Sequence, residues 1–180
     1  MPASKKKASR QMESLRRRFR PACVRLLFIG ESPPASGRFF YRGDSGLYRA
    51  ALQAFHAVDP SITDANFLAV FQASGCYLID LCWKPVDHLD LPSRRAACQT
   101  SEASLSRTIG WLHPLKIVTV LRSIEANVTR AAFHADWHGP FLHLPYPGRW
   151  SRHRDVFVDT LKPSIRALAR QGAPRMDPRK

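Results

Sequence analysis

Four short apolar runs, each cut off by glycine, proline or a polar loop, constrain this chain more than any other feature. They occupy residues 24–29 before Gly30, 76–81 ahead of Pro85, 116–121, and 140–144 ahead of Pro145. Runs of this length without polar alternation are the pattern of strands buried on both faces. Between them lie stretches of helical periodicity. Asp44 opens one through Val58, with Leu47, Ala51, Phe55 and Val58 on a single face. Asp64 opens a second that Gly75 stops, Ser93 starts a third reaching Leu112, and Ser123 caps a fourth reaching His134. A last helix begins at Ser151 and meets Pro163, which removes a ladder hydrogen bond and predicts a kink. Strands buried on both faces must be covered on both faces. The order predicts an α/β fold, three-layer α/β/α with a central four-stranded parallel sheet.

The chain has 180 residues, a length suited to one core. The expected organisation is a basic, disordered tail over 1–20, a single domain over 21–172, and a disordered tail over 173–180. Charge distribution supports that division. Of 28 Lys and Arg, eight fall in residues 1–20 against one Glu, and six in 162–180 against one Asp. The net charge of +14 is therefore carried mainly by the two ends. Basic ends of this kind attract phosphate backbones without reading sequence, so DNA is the expected partner. No apolar run approaches the ~18 residues a membrane span needs. The first lysines have no apolar stretch behind them, unlike a secretory signal. Four cysteines suit a reduced compartment. The chain is expected in the cytoplasm, associated with the nucleoid, as a monomer with no obligate protein partner and no membrane attachment. No metal and no cofactor is expected, because His56, His88, His113, His134 and His138 show no ligand spacing. The loop after the first strand also lacks the G-x-x-x-x-G-K-[ST] spacing of a phosphate-binding loop.

In open parallel sheets, ligands bind beyond the carboxyl ends of the strands. Here those ends are Gly30-Glu31-Ser32-Pro33-Pro34, then Asp80, then Arg122-Ser123, then Pro145-Tyr146-Pro147-Gly148-Arg149-Trp150. Two carboxylates, several aromatics and an arginine-bearing loop would share one rim.

The segment Gly30-Glu31-Ser32-Pro33-Pro34 resembles the first motif of the uracil-DNA glycosylase superfamily, written G-Q-D-P-Y, G-E-A-P-G or G-x-N-P-G in its branches. Residues 37–46, G-R-F-F-Y-R-G-D-S-G, look like the G-R-P-F-V-G-x-x-G segment of the iron–sulfur branch. Residues 77–81 are similar to the family's second strand and 113–121 to its third. Leu144-Pro145-Tyr146-Pro147-Gly148 resembles the last motif, H-P-S-P or L-P-N-P-S-G elsewhere. The likeness spans about residues 24–160, in order. It implies a monofunctional DNA glycosylase that hydrolyses the N-glycosidic bond of uracil, and of deaminated purines, in base-excision repair. The alternative is a catalytically idle DNA-binding relative. Ser32 stands where one branch keeps a water-activating aspartate. Leu144 stands at the last-motif histidine, with His143 adjacent. Asp80 replaces an asparagine that reads uracil, and Pro34 a residue that shapes the pocket wall. Cys82 and Cys98 have the spacing of the second iron–sulfur pair, but the N-terminal C-x-x-C is missing, so no cluster is expected.

The resemblance assigns roles residue by residue. Glu31 is the first candidate for orienting the attacking water and Asp80 the second, with His143 a third catalytic candidate facing either the core or the rim. Gly30, Ser32, Pro33 and Tyr146 would line the base pocket. Phe40 would stack on the flipped base, with Phe39 as the alternative. Arg149, Trp150 and Arg152 would grip phosphates and wedge the DNA.

Overall fold

The computed structural model describes residues 2–148 and 150–171. Its centre is a sheet of four parallel strands, β1 (Leu26–Gly30), β2 (Cys76–Asp80), β3 (Lys116–Thr119) and β4 (Phe141–His143), in the order β2-β1-β3-β4. The register pairs Leu26 with Cys76 and Gly30 with Asp80 on one side of β1, and Leu26 with Lys116 and Ile29 with Thr119 on the other. Ile117 to Thr119 pair with Phe141 to His143 at the far edge. Every residue of β1 is buried, as its unbroken apolar run requires.

The helices are α1 (Pro2–Arg18), α2 (Gly46–His56), α3 (Phe67–Ala73), α4 (Leu91–Leu112), α5 (Glu125–His134) and α6 (Ser151–Arg170). The chain steps from β1 outward to β2, then crosses back over β1 to β3. Right-handed crossovers therefore put α2 on one face and α4 on the other. In keeping with this, α2 packs on α6 while α4 packs on α5. The α2 face holds a cluster of rings in which Phe40, Phe55, Phe67 and Phe71 meet at centroid distances of 5.2–6.2 Å. Phe28 of β1 reaches Phe71 at 5.4 Å and ties that cluster to the sheet.

Several expectations are corrected. The segment expected as a disordered N-terminal tail forms α1. Met12, Leu15 and Phe19, spaced three and four apart, give it one apolar face against the core. Phe19 stacks on Tyr41 at 5.5 Å, and Gln72 Nε2 donates to the carbonyls of Arg18 and Arg20 at 3.1 Å each. The cap of α2 is Ser45, whose Oγ accepts from the Tyr48 N–H; Asp44 instead accepts from the Phe39 N–H at 2.6 Å. Asp90 caps α4 in place of Ser93. Asp64 lies ahead of α3 and accepts from the Tyr48 hydroxyl at 2.8 Å. Ser123 falls in a 3₁₀ turn (Arg122–Ile124) that leads into α5. Helix α6 begins at Ser151, as expected, and contains Pro163. The expected C-terminal tail, 173–180, lies outside the described residues.

Candidate functional site

The switch of winding direction falls between β1 and β3, and a crevice opens there at the carboxyl ends of the strands. It holds a cavity of about 320 Å³ lined by the loop after β1, Asp80, Val120 and Leu121 after β3, Phe39 and Phe40, and Tyr146. That volume is at the small end of ligand pockets, roughly 300–1,000 Å³.

Glycine at position 30 leaves room for the Asp80 carboxyl. A Cβ there would lie 2.8 Å from Asp80 Oδ1. Its absence lets the Asp80 carboxyl lie against the end of β1. Strand-like pairing continues past this point, with Leu81 N–H donating to Gly30 O and Cys82 N–H to Glu31 O, each at 2.8 Å. The loop after β1 is pinned further. Ser32 Oγ accepts from the Val86 N–H at 3.2 Å, and the Ala35 N–H is shared between both Asp87 oxygens at 3.0 and 3.2 Å. Glu31, Ser32 and Pro33 thus enter the cavity from a braced loop, and Asp80 enters it from the end of β2.

Both carboxylates meet an arginine. Glu31 is gripped by the fork of Arg94 in α4, Nε to Oε1 at 2.7 Å and Nη2 to Oε2. Asp80 Oδ2 accepts from Arg16 Nη2 of α1, and Arg16 Nη1 also donates to Glu13 at 3.0 Å. Both members of the Asp80–Arg16 pair are nearly sealed from water, with side chains 10% and 5% exposed. Burial pushes the Asp80 carboxyl above the usual range, and the Arg16 charge and hydrogen bond oppose that rise. Arg16 also lies over the Phe39 and Trp83 rings at 5.4 and 5.9 Å, while its buried Nε has no hydrogen-bond partner among the described residues.

Neither arginine was among the residues expected at the site. One signal was readable. Arg94 sits in the first turn of α4, which has no acidic residue, and a cation there opposes the helix dipole unless an anion holds it. Asp87 is a third carboxylate on the cavity wall that the strand-end argument missed.

Phe39 and Phe40 both line the cavity and both are buried. The Phe40 ring is held by Tyr41, Tyr48, Phe67 and Phe71, so its orientation is fixed by the core. Tyr41 beside it donates its hydroxyl to Leu78 O at 3.0 Å and accepts from the Leu78 N–H at 2.8 Å. It thereby occupies the open edge of β2 as a strand would, and burial raises its pKa well above the usual tyrosine value. Tyr146 stands at the cavity mouth, its hydroxyl pKa raised by burial. Gly148 makes room for it, since a Cβ there would meet the Tyr146 ring at 2.7 Å.

His143 does not join the carboxylates. Its neighbour Leu144 is fully buried, so strand alternation turns His143 to the opposite side, where it is exposed. Its Nδ1 lies 2.8 Å from Thr119 Oγ1 and 3.8 Å from Glu125 Oε1, and it is not on the cavity wall. Trp150 precedes α6 with its ring exposed, and Arg152 is exposed in the first turn; neither lines the cavity. Arg149 lies outside the described residues.

Among the described residues, no three His, Cys, Asp or Glu side chains converge as metal ligands would. Cys82 and Cys98 are free thiols with sulfurs 3.8 Å apart, and burial pushes the Cys98 thiol up to about 12. No described helix is long and apolar enough to cross a membrane. No protein-family model matches the sequence, and a search of curated proteins returned no match.

Proposed function

We propose that the protein is a monofunctional DNA glycosylase that hydrolyses the N-glycosidic bond of uracil, and of deaminated purines, in chromosomal DNA. One observation carries the reading. At the switch point of a parallel sheet, two carboxylates from separate strand ends meet aromatic walls in a cavity sized for a single base with its sugar. A base in a duplex is out of reach, so the nucleotide must be flipped at a cost of a few kcal/mol. Aromatic contact with Phe39, Phe40 or Tyr146 would return roughly 1–3 kcal/mol of that per base.

In the reaction, water attacks the anomeric carbon as the bond to the base nitrogen breaks. The bonding pair leaves with the base, and the water proton passes to a basic group or to solvent. Positive charge grows on the sugar and negative charge on the base. A fixed anion beside the sugar and N–H donors beside the base oxygen stabilise both. Glu31 and Asp80 supply the anions, and the backbone N–H groups following Gly30 supply donors. No cofactor is required.

The test is release of base from oligonucleotides carrying uracil, hypoxanthine or xanthine, read as strand cleavage after alkali. Cleavage with any of them supports the reading. A second reading, a DNA-binding relative without chemistry, is favoured by the two ion pairs that occupy the carboxylates and by the position of His143 off the cavity. Intact DNA binding with no release from any substrate establishes that second reading.

A further inference from the structure

A second cavity of about 300 Å³ adjoins the first, and Pro34, Arg38, Ser45 and Tyr146 line both. Its character is different. Arg38 from the loop after β1, Arg49 from α2 and Arg154 from α6 converge on it, and among the described residues no carboxylate is on its wall. Arginines elsewhere near the sheet hold acids: Arg16 holds Asp80, Arg94 holds Glu31, and Arg130 holds Glu102. Among the described residues, none of the three cleft arginines is in an ion pair. Arg49 makes one weak bond, to the Asp44 carbonyl at 3.4 Å. Three guanidiniums drawn from three elements and outside any ion pair repel one another, and an anion between them relieves that cost.

The start of α2 points the same way. Ser45 and Gly46 line this cavity, and the first turn carries no acid to satisfy the positive end of the helix dipole. Because the two cavities share a wall, an anion here would adjoin a group in the main cavity. A nucleotide has that construction, an uncharged base and sugar joined to a phosphate.

We infer that the Arg38–Arg49–Arg154 cleft binds a backbone phosphodiester of the strand whose nucleoside enters the main cavity. The inference rests on the reading that a nucleoside occupies that cavity. It moves the phosphate grip away from Arg152 to residues that face the site.

The experiment uses the full chain and a labelled, undamaged 12-mer of thymidine, with binding followed by fluorescence anisotropy across a salt series. Arg49→Ala and Arg154→Ala are compared with Arg95→Ala, an exposed arginine of α4 outside the cleft. Each cleft variant is expected to weaken binding and to flatten the log–log salt dependence by roughly 0.7, the value for one phosphate on a single strand. Arg95→Ala is expected to change neither. In oligomers with one neutral methylphosphonate, a single position should weaken wild-type binding and leave Arg49→Ala unaffected. Equal behaviour of all three variants overturns the inference, as does displacement of the 12-mer by millimolar inorganic phosphate, which would mark a site for free phosphate. Base release by the wild type is scored separately. If no base is released but the cleft variants still lose affinity and slope, the glycosylase reading fails and the phosphate cleft stands. Release with unchanged binding in the variants gives the reverse.

Discussion

Arg16 and Asp80 form a buried pair whose separation should be visible in folding as well as in activity. Arg16→Met keeps a chain of similar length against Phe39 and Trp83 but leaves Asp80 sealed and unpaired. Breaking a buried pair by removing one partner costs about 3–5 kcal/mol. Protonation of the orphaned carboxyl limits the loss, because each unit of pKa shift is worth about 1.4 kcal/mol. The expected destabilisation near neutral pH is therefore about 2–4 kcal/mol. Burial already raises the native pKa of Asp80, against the Arg16 charge and hydrogen bond and with the nearby Glu13 charge adding to the rise. The native state thus binds the Asp80 proton more tightly than the unfolded chain, and the contribution of Asp80 to stability falls as pH rises through its native pKa. Removing Arg16 enlarges the shift. The deficit of Arg16→Met should be greatest in mild alkali and shrink as the pH is lowered and Asp80 is neutralised. Urea unfolding at about pH 8 and about pH 5 measures this. Adding Asp80→Asn to Arg16→Met should restore part of the stability, with a coupling of about 1–3 kcal/mol. A deficit that does not change with pH, or two substitutions that simply add, would refute the reasoning.

Other consequences concern the site and its supports. Glu31→Gln should lower single-turnover base release by about 10²-fold while DNA binding persists. Asp80→Asn should lower it by about 10³-fold; retained or improved uracil release would mean that the residue reads the base instead. Tyr41→Phe strands the buried Leu78 groups at the edge of β2 and should cost about 1–3 kcal/mol in urea unfolding, without altering the substrates accepted. Trp150→Ala, if the ring fills the gap left by a flipped base, should impair release from duplexes more than from single strands, and equal losses would argue against a wedge.

The sheet was legible because a strand buried on both faces must be apolar throughout, and residues 26–30 and 76–79 are. Placing Glu31 and Asp80 at one rim needed only the rule that parallel strands end together, and the register opposite Gly30 makes it so. The arginines were not legible in the same way. Asp80 and Arg16 are 64 residues apart and Glu31 and Arg94 are 63, and composition carries no distance of that range. Helix α1 was hidden by its lysines, which outweigh Met12, Leu15 and Phe19 in any average though not in their spacing. His143 was misplaced by adjacency. A residue next to the expected position in a strand faces the other way, so a one-residue offset moves a side chain off the site.

The two ion pairs are unequal, and the inequality bears on which carboxylate handles water. Arg94 meets Glu31 as a fork, engaging both oxygens, and Cys98 Sγ lies 3.9 Å from one of them. A carboxylate so held is a fixed charge; to accept a proton it must give up a bond to the guanidinium. Asp80 is held through Oδ2 alone, while Oδ1 lies over Gly30 on the cavity wall, with no hydrogen bond to it among the described residues. That oxygen keeps lone pairs for a water molecule, and burial makes the group more basic than an exposed aspartate. The glycine at the end of β1 makes this placement possible, since any side chain there would displace the oxygen. Ser32 spends its hydroxyl on the Val86 N–H and braces the loop. Under the proposed glycosylase reading, the division of labour is Glu31 as the anion beside the sugar and Asp80 as the group that orients water, which is why the larger loss is assigned to Asp80→Asn.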